Sequence, residues 1–201
     1  MNYIAHRGLK INGAKENTIP AFINAINDSR FAGFECDIRT TKDGVFIIHH
    51  DPFIELDIIR QKTYQELKQK HQITRLESVL SLKTDKIMLL EIKEGNLDVD
   101  AFISFLDDFE HQNIYLMSFD THIINKLTKK TKRYHFGVLN YILNSEVEYK
   151  HDFICLLSSI VTEEIINRFK ALKIEVFIYG LFTDKHLNQF KDVFYITDIT
   201  R

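Results

Sequence analysis

Two carboxylates stand two residues apart in Phe34-Glu35-Cys36-Asp37, inside an apolar run with the composition of a β-strand. Residues i and i+2 of a strand face the same side, so Glu35 and Asp37 share one face and Cys36 takes the other. The run continues to Thr41, meets Lys42-Asp43-Gly44, and resumes as Val45-Phe46-Ile47-Ile48, the pattern of a β-hairpin with a short glycine-containing loop. Folding about that loop returns His49-His50-Asp51 to the level of the two acids. A hard-cation site beside a titratable imidazole suits phosphate-ester chemistry: the metal holds phosphoryl oxygens while the histidine moves a proton. The competing reading of this stretch alone is a solvated hairpin with ordinary charges.

A second pair, Glu91 and Lys93, has the same spacing and therefore also shares a face. Buried charge without a partner is costly. Acids in two strands amid Ile, Leu and Met therefore imply something cationic between them, and a divalent metal fits.

The elements that must position these residues alternate in type. Strand-like runs are Asn2 to Ala5, Gly33 to Ile38, Lys86 to Ile92, Asn113 to Met117, Arg133 to Leu139, Asp152 to Leu157, Lys173 to Ile178 and Val193 to Thr197. Helical spacing marks Ile19 to Asp28, Leu76 to Leu82, Val99 to Glu110, Thr121 to Thr128, a weaker stretch near Glu146, Thr162 to Leu172 and Asp184 to Phe190. Eight strands separated by helices predict a closed TIM-type (β/α)8 barrel with a β-hairpin extension after strand 2. At 201 residues the chain is short for that fold, and an open doubly wound sheet is the alternative. Active sites of such barrels collect at the C-terminal ends of the strands. The polar residues comply: His6-Arg7-Gly8, Glu35-Cys36-Asp37, Glu91-Ile92-Lys93, Met117-Ser118-Phe119 and Thr197-Asp198 all fall there.

Composition narrows the function classes. With 45% hydrophobic and 27% charged residues and no linker or low-complexity segment, residues 1–201 read as a single domain with its own core. The formal net charge of −2 gives no reason to invoke nucleic acid. The one dense basic cluster, Lys129-Lys130-Thr131-Lys132-Arg133, reads as the solvated C-terminal end of a helix, where cations suit the dipole. Cys36 and Cys155 lie in apolar runs without CxxC spacing and read as small core residues. No apolar run is long enough to span a bilayer, and Met1-Asn2 passes directly into a strand, so a cytoplasmic location is expected.

Read together, AHRG at Ala5 to Gly8, ENT at Glu16 to Thr18, FECDIRTTKDG at Phe34 to Gly44, HD at His50-Asp51, EIK at Glu91 to Lys93, SF at Ser118-Phe119 and ITD at Ile196 to Asp198 resemble the glycerophosphodiester phosphodiesterases of the phospholipase-C-like barrel superfamily. The motifs occur in the family's order over nearly the whole chain. The resemblance implies metal-dependent hydrolysis of small-molecule glycerophosphodiesters, such as glycerophosphocholine, to glycerol 3-phosphate and an alcohol. Glu35, Asp37 and Glu91 match the family's metal-binding carboxylates, and oxygen-only ligation suits Mg²⁺ or Ca²⁺ better than zinc. His6 and His50 match the catalytic histidines, one removing a proton from the attacking oxygen and the other protonating the departing alkoxide. His49 competes at the hairpin, but neighbouring strand residues face opposite sides, and the HD match selects His50. Arg7 and Lys93 then supply positive charge toward phosphate.

Asn17 and Thr18 read as N-cap residues ahead of Pro20. Glu16, after the first strand, has no capping role and counts with Arg7 and Lys93 as a candidate substrate-binding residue, a hydrogen-bond partner for the site. His71, His111, His122, His135, His151 and His186 share no spacing and read as surface or loop residues. The chain departs from the family in a reduced insertion after the HD motif, in the absence of tryptophan near strand seven, and in its ending Ile199-Thr200-Arg201. A second activity reading is lysophospholipase D-type action on lysophospholipids, encouraged by Phe53, Ile54, Phe119 and Phe182. A third is a non-catalytic barrel that binds a phosphate-bearing ligand, although no metal carboxylate or catalytic histidine is lost.

Overall fold

Eight parallel strands close on themselves: β1 (Tyr3–Ala5), β2 (Phe31–Thr40), β3 (Ile87–Ile92), β4 (Ile114–Ser118), β5 (His135–Asn140), β6 (Phe153–Leu157), β7 (Glu175–Tyr179) and β8 (Phe194–Thr197). Each pairs with the next, and β1 pairs with both β2 and β8. That double pairing rules out the open sheet, because a closed barrel has no edge. The computed structural model describes residues 2–110, 113–143, 148–181 and 187–198.

Helices α1 (Ile19–Asn27), α2 (Tyr64–Lys68), α3 (Leu76–Leu80), α4 (Val99–Asp107), α5 (Thr121–Lys130) and α6 (Glu163–Ala171) lie in the connections. The basic cluster does begin in the last turn of a helix, with Lys129 and Lys130 closing α5. Of the expected helix over Asp184 to Phe190, Asp184 to His186 lie outside the described residues, and Leu187 to Phe190 form a turn and bends instead. The weak helical stretch near Glu146 also lies outside them. Among the described residues no helix is long and apolar enough to cross a membrane.

Strand β2 runs longer than the expected Gly33 to Ile38. Its far end leaves the barrel and pairs antiparallel with Phe46–Ile48, which in turn pairs with Thr74–Arg75. These partners satisfy backbone groups that would otherwise be orphaned beyond the rim. Gly44 turns the hairpin at φ 80°, a conformation that favours glycine, and Thr41 Oγ1 accepts the Val45 amide at 3.0 Å. The segment from Pro52 to Arg75 folds as a small antiparallel pair (Phe53–Ile54 with Asp57–Ile58), a 3-10 turn and α2, clamped by Ile47, Ile59 and Leu67.

Two apolar layers follow from strand alternation. Inside the barrel Ile4, Leu89, Tyr115, Met117, Leu139, Phe153, Cys155, Phe177 and Ile196 fill the lumen. Outside, Phe34, Cys36 and Ile38 of β2 pack under the helices with Phe22, Phe102 and Phe136. Both cysteines are free and buried, Cys36 in the outer layer and Cys155 in the inner. The lumen closes tightly where Phe153 lies over Gly137: a Cβ built on Gly137 would stand 2.3 Å from that ring. Gly137→Ala should therefore force the ring aside and cost about 1–3 kcal/mol in urea unfolding; an unchanged midpoint would show that the lumen has slack.

Candidate active site

Register brings the acids together. Asp37 lies beside Glu91 on the neighbouring strand, and Glu35 one inward step below on the same face. Oxygen atoms of Glu35, Asp37 and Glu91 all fall within 4.8 Å of one another, and the three residues are 1%, 1% and 7% exposed. Burial raises the Glu35 carboxyl well above the usual carboxylate range, and the charges of Asp37 and Glu91 push the same way. Burial also raises Glu91, against the pull of Lys93. Asp37 goes down: burial opposes ionisation there, but Lys93, the Asn17 amide and Arg7 outweigh it.

Two cations stand over the cluster. Lys93 Nζ lies 2.6 Å from Glu91 Oε1 and 3.1 Å from Asp37 Oδ1. Arg7 Nε lies 3.2 Å from Asp37 Oδ2, while Nη1 donates to Glu16 Oε1 at 2.9 Å. Glu16 thus meets the site through Arg7. The backbone of Arg7 bends into the left-handed region, φ 55°, where its amide donates to Glu35 Oε2 at 2.9 Å. A non-glycine residue adopts that conformation at a cost of order 1 kcal/mol, and the bond to a buried carboxylate holds it there.

Asn17 departs from the capping expectation. It is buried at φ 56°, with its amide donating to the Arg7 carbonyl at 2.8 Å and Nδ2 to Asp37 Oδ2 at 2.9 Å. Thr18 occupies the N-cap position of α1, but its hydroxyl donates back to the Lys15 carbonyl and caps nothing. A motif that reads as helix punctuation is thus part of the acid cluster. Asparagine tolerates the left-handed conformation this role requires.

The two histidines hang on acids of their own. His6 Nδ1 lies 3.0 Å from both oxygens of Asp198, which also pairs with Lys10. Although burial opposes it, the bonds and charges of His6 and Lys10 hold the Asp198 carboxyl at about 2. His50 Nδ1 lies 2.8 Å from Asp51 Oδ1, and the His50 carbonyl accepts Arg39 Nε and Nη2 at 3.0 and 2.7 Å. The neighbouring His49 turns away, with Nε2 3.1 Å from the Phe53 carbonyl. Asp198, Asp51 and Arg39 are orienting residues to which the sequence reading gave no role.

His6, Arg7, Glu35, His50, Glu91 and Lys93 line one cavity of about 200 Å³ at the C-terminal mouth of the barrel, walled on its other side by Phe119, Tyr141 and Tyr179. Of the remaining histidines, His122 is exposed, as expected. His71, His135 and His151 are half-buried structural residues instead: His71 on Asp57, His135 stacked 4.2 Å from Tyr115, His151 on Asn125. His111, His186 and Phe182 lie outside the described residues.

No curated protein sequence matches the chain. Among solved structures, it is similar to a glycerophosphodiester phosphodiesterase from Thermotoga maritima at 26% identity and TM-score 0.80, covering 98% of this chain and 94% of that one. A glycerophosphodiester phosphodiesterase from Parabacteroides distasonis shares the fold at 20% identity and TM-score 0.86, with 98% and 92% covered. So does an Oleispira antarctica phosphodiesterase in complex with the product sn-glycerol-3-phosphate, at 19% identity and TM-score 0.82, with 97% and 92% covered. The family model for glycerophosphoryl diester phosphodiesterases matches residues 6–193, from the first histidine of the mouth to the threshold of β8. A match of that extent, on a barrel with its acids and histidines at one mouth, settles the lineage: the chain belongs to the glycerophosphoryl diester phosphodiesterase family and is an enzyme of that class.

Proposed function

We propose that residues 1–201 form one catalytic domain that hydrolyses glycerophosphodiesters to glycerol 3-phosphate and an alcohol, with a divalent cation, Mg²⁺ or Ca²⁺, held by Glu35, Asp37 and Glu91. The observation that carries the reading is the acid cluster itself, three buried carboxylates under a cavity flanked by two aspartate-anchored histidines. The product complex of the Oleispira relative supports the substrate class.

The residues present fit a hard cation. Glu35 Oε1 is buried and has no hydrogen-bond partner, so one ligand atom is already stripped of water and protein donors. Three carboxylates against Arg7 and Lys93 leave a formal charge of −1, which a divalent ion turns to +1 and so toward phosphate. The donor set is all oxygen, as Mg²⁺ and Ca²⁺ prefer. When bound, such an ion polarises a phosphoryl oxygen and lowers the pKa of an attacking hydroxyl.

The side chains do the rest. Arg7 and Lys93 face the phosphate and hold its charge as it grows in the transition state. With Nδ1 of each histidine engaged by an aspartate, Nε2 is the nitrogen left for the substrate. One imidazole takes the proton of the attacking oxygen; the other gives a proton to the alkoxide as the P–O bond breaks. Glu16 steadies the guanidinium of Arg7 from behind.

Incubation of the enzyme with glycerophosphocholine and Mg²⁺ or Ca²⁺ should release glycerol 3-phosphate. EDTA or His50→Ala should lower the rate by about two orders of magnitude or more, and full turnover under either condition overturns the mechanism. In thermal unfolding the wild-type midpoint should rise with added cation. Glu35→Gln, which keeps the acceptor for the Arg7 amide but removes one of three crowded charges, should abolish that rise without lowering the metal-free midpoint; a rise that survives contradicts the assigned ligands. Asp198→Asn should cost at least about tenfold in kcat through loss of His6 orientation. The low pKa of Asp198 means its stabilising share is present above about pH 4, the ordinary carboxylate value, and is lost as pH falls toward 2. Urea midpoints of the variant and wild type should therefore differ at pH 7 and converge near pH 2; a gap that persists at pH 2 gives Asp198 another role.

A further inference from the structure

A second cavity, of about 380 Å³, adjoins the first and shares His50, Glu91, Lys93, Phe119 and Tyr141 with it. Their charges differ. In the first, Arg7 and Lys93 balance Glu35 and Glu91. In the second, Arg39 and Lys93 face Asp51, Glu91, Glu94 and Asp120, and Arg60 reaches Glu94 from outside the cavity at 2.7 Å, three positive charges against four negative, a formal −1 with His50 neutral. Asp120 commits one carboxylate oxygen to the His122 amide at the start of α5 and turns the other toward Gly95.

The wall between the cavities is aromatic. Phe119 and Tyr141 stack with ring centroids 4.6 Å apart and planes 13° from parallel, and Tyr179 meets both edge-on at 6.1 and 6.3 Å. Phe119 is 39% and Tyr141 57% exposed, so these rings still offer π surface to a ligand. An electron-rich aromatic surface beside surplus carboxylate is the chemistry that holds an organic ammonium group: the ring quadrupole and the acids attract the same charge. The same surplus gives no such attraction to a neutral polyol.

We propose that the second cavity is the subsite of the departing alcohol and that it selects an alcohol carrying an ammonium group over a neutral one. The inference rests on the hydrolytic reading of the first cavity. With phosphate held by Arg7 and Lys93, the ester oxygen of the alcohol crosses the shared wall at His50. As the attacking oxygen bonds phosphorus, the P–O bond to that alcohol breaks there and His50 delivers a proton to the alkoxide. Zwitterionic diesters are thus the preferred substrates, the phosphate at Arg7 and Lys93 and the ammonium on the aromatic, acidic side.

The test compares kcat/KM for glycerophosphocholine and glycerophosphoglycerol, which share the phosphate and glycerol and differ in the alcohol. Wild type should favour the choline diester by about tenfold. Tyr141→Leu, at an exposed position where folding is not at stake, should cut that ratio by about fivefold, whereas Tyr141→Phe, which keeps the π face, should retain it. Asp120→Asn keeps a helix-capping side chain and removes the charge; it should lower the ratio and flatten its dependence on ionic strength. Equal turnover of both diesters by wild type, or a ratio unmoved by Tyr141→Leu, overturns the subsite. Turnover of neither diester overturns the hydrolytic reading itself, so the two failures are distinguishable.

Discussion

Three carboxylates buried within 4.8 Å of one another are the constraint around which the rest of the mouth is organised. Removing such ions from water costs roughly several kcal/mol apiece, and their mutual repulsion adds to it. Only partners of opposite charge at close range make the cluster tolerable. Arg7 reaches it from the end of β1 and Lys93 from the end of β3, each in contact with Asp37. Asn17 adds a neutral donor, and even the Arg7 amide is spent on Glu35. The strained backbone at Arg7 and the left-handed turn at Asn17 both serve the same carboxylates.

Barrel closure supplies the positioning. Neighbouring strands set Asp37 beside Glu91, and the pairing of β1 with both β2 and β8 sets His6 against Asp198, 192 residues away in sequence. The hairpin after β2 supplies the other wall. Its return strand carries His50 to the mouth, and Arg39 grips the His50 carbonyl to fix the strand end. Each histidine therefore stands on a different element with its own aspartate, and both line the cavity above the acid cluster.

The parts of this arrangement carried by short-range pattern were legible in the sequence. Period-two spacing placed Glu35 with Asp37 and Glu91 with Lys93, the Lys42-Asp43-Gly44 turn returned His50 to the acids, and the alternation of strands and helices gave the barrel. What escaped was set by closure or by backbone conformation. Asp198 gained meaning only when β8 met β1, and Asn17 looked like a cap because the ordinary use of asparagine before a helix is capping. The stack of Phe119 on Tyr141 joins the ends of β4 and β5, and no spacing along the chain announces it. The helix expected over Asp184 to Phe190 failed in its described part because the apolar spacing there serves packing: Leu187 and Phe190 lie against the outer core, and the Phe190 amide bonds the Tyr195 hydroxyl.

The proposed chemistry requires the acid cluster to be a cation site and not a buried salt-bridge network that Arg7 and Lys93 complete by themselves. Anomalous diffraction from crystals of the enzyme soaked in Mn²⁺ tests this most directly, since Mn²⁺ accepts the oxygen ligands that Mg²⁺ and Ca²⁺ use. A single strong peak bounded by carboxylate oxygens of Glu35, Asp37 and Glu91 is expected. A cluster without a peak, with Lys93 alone bridging Asp37 and Glu91, would contradict it.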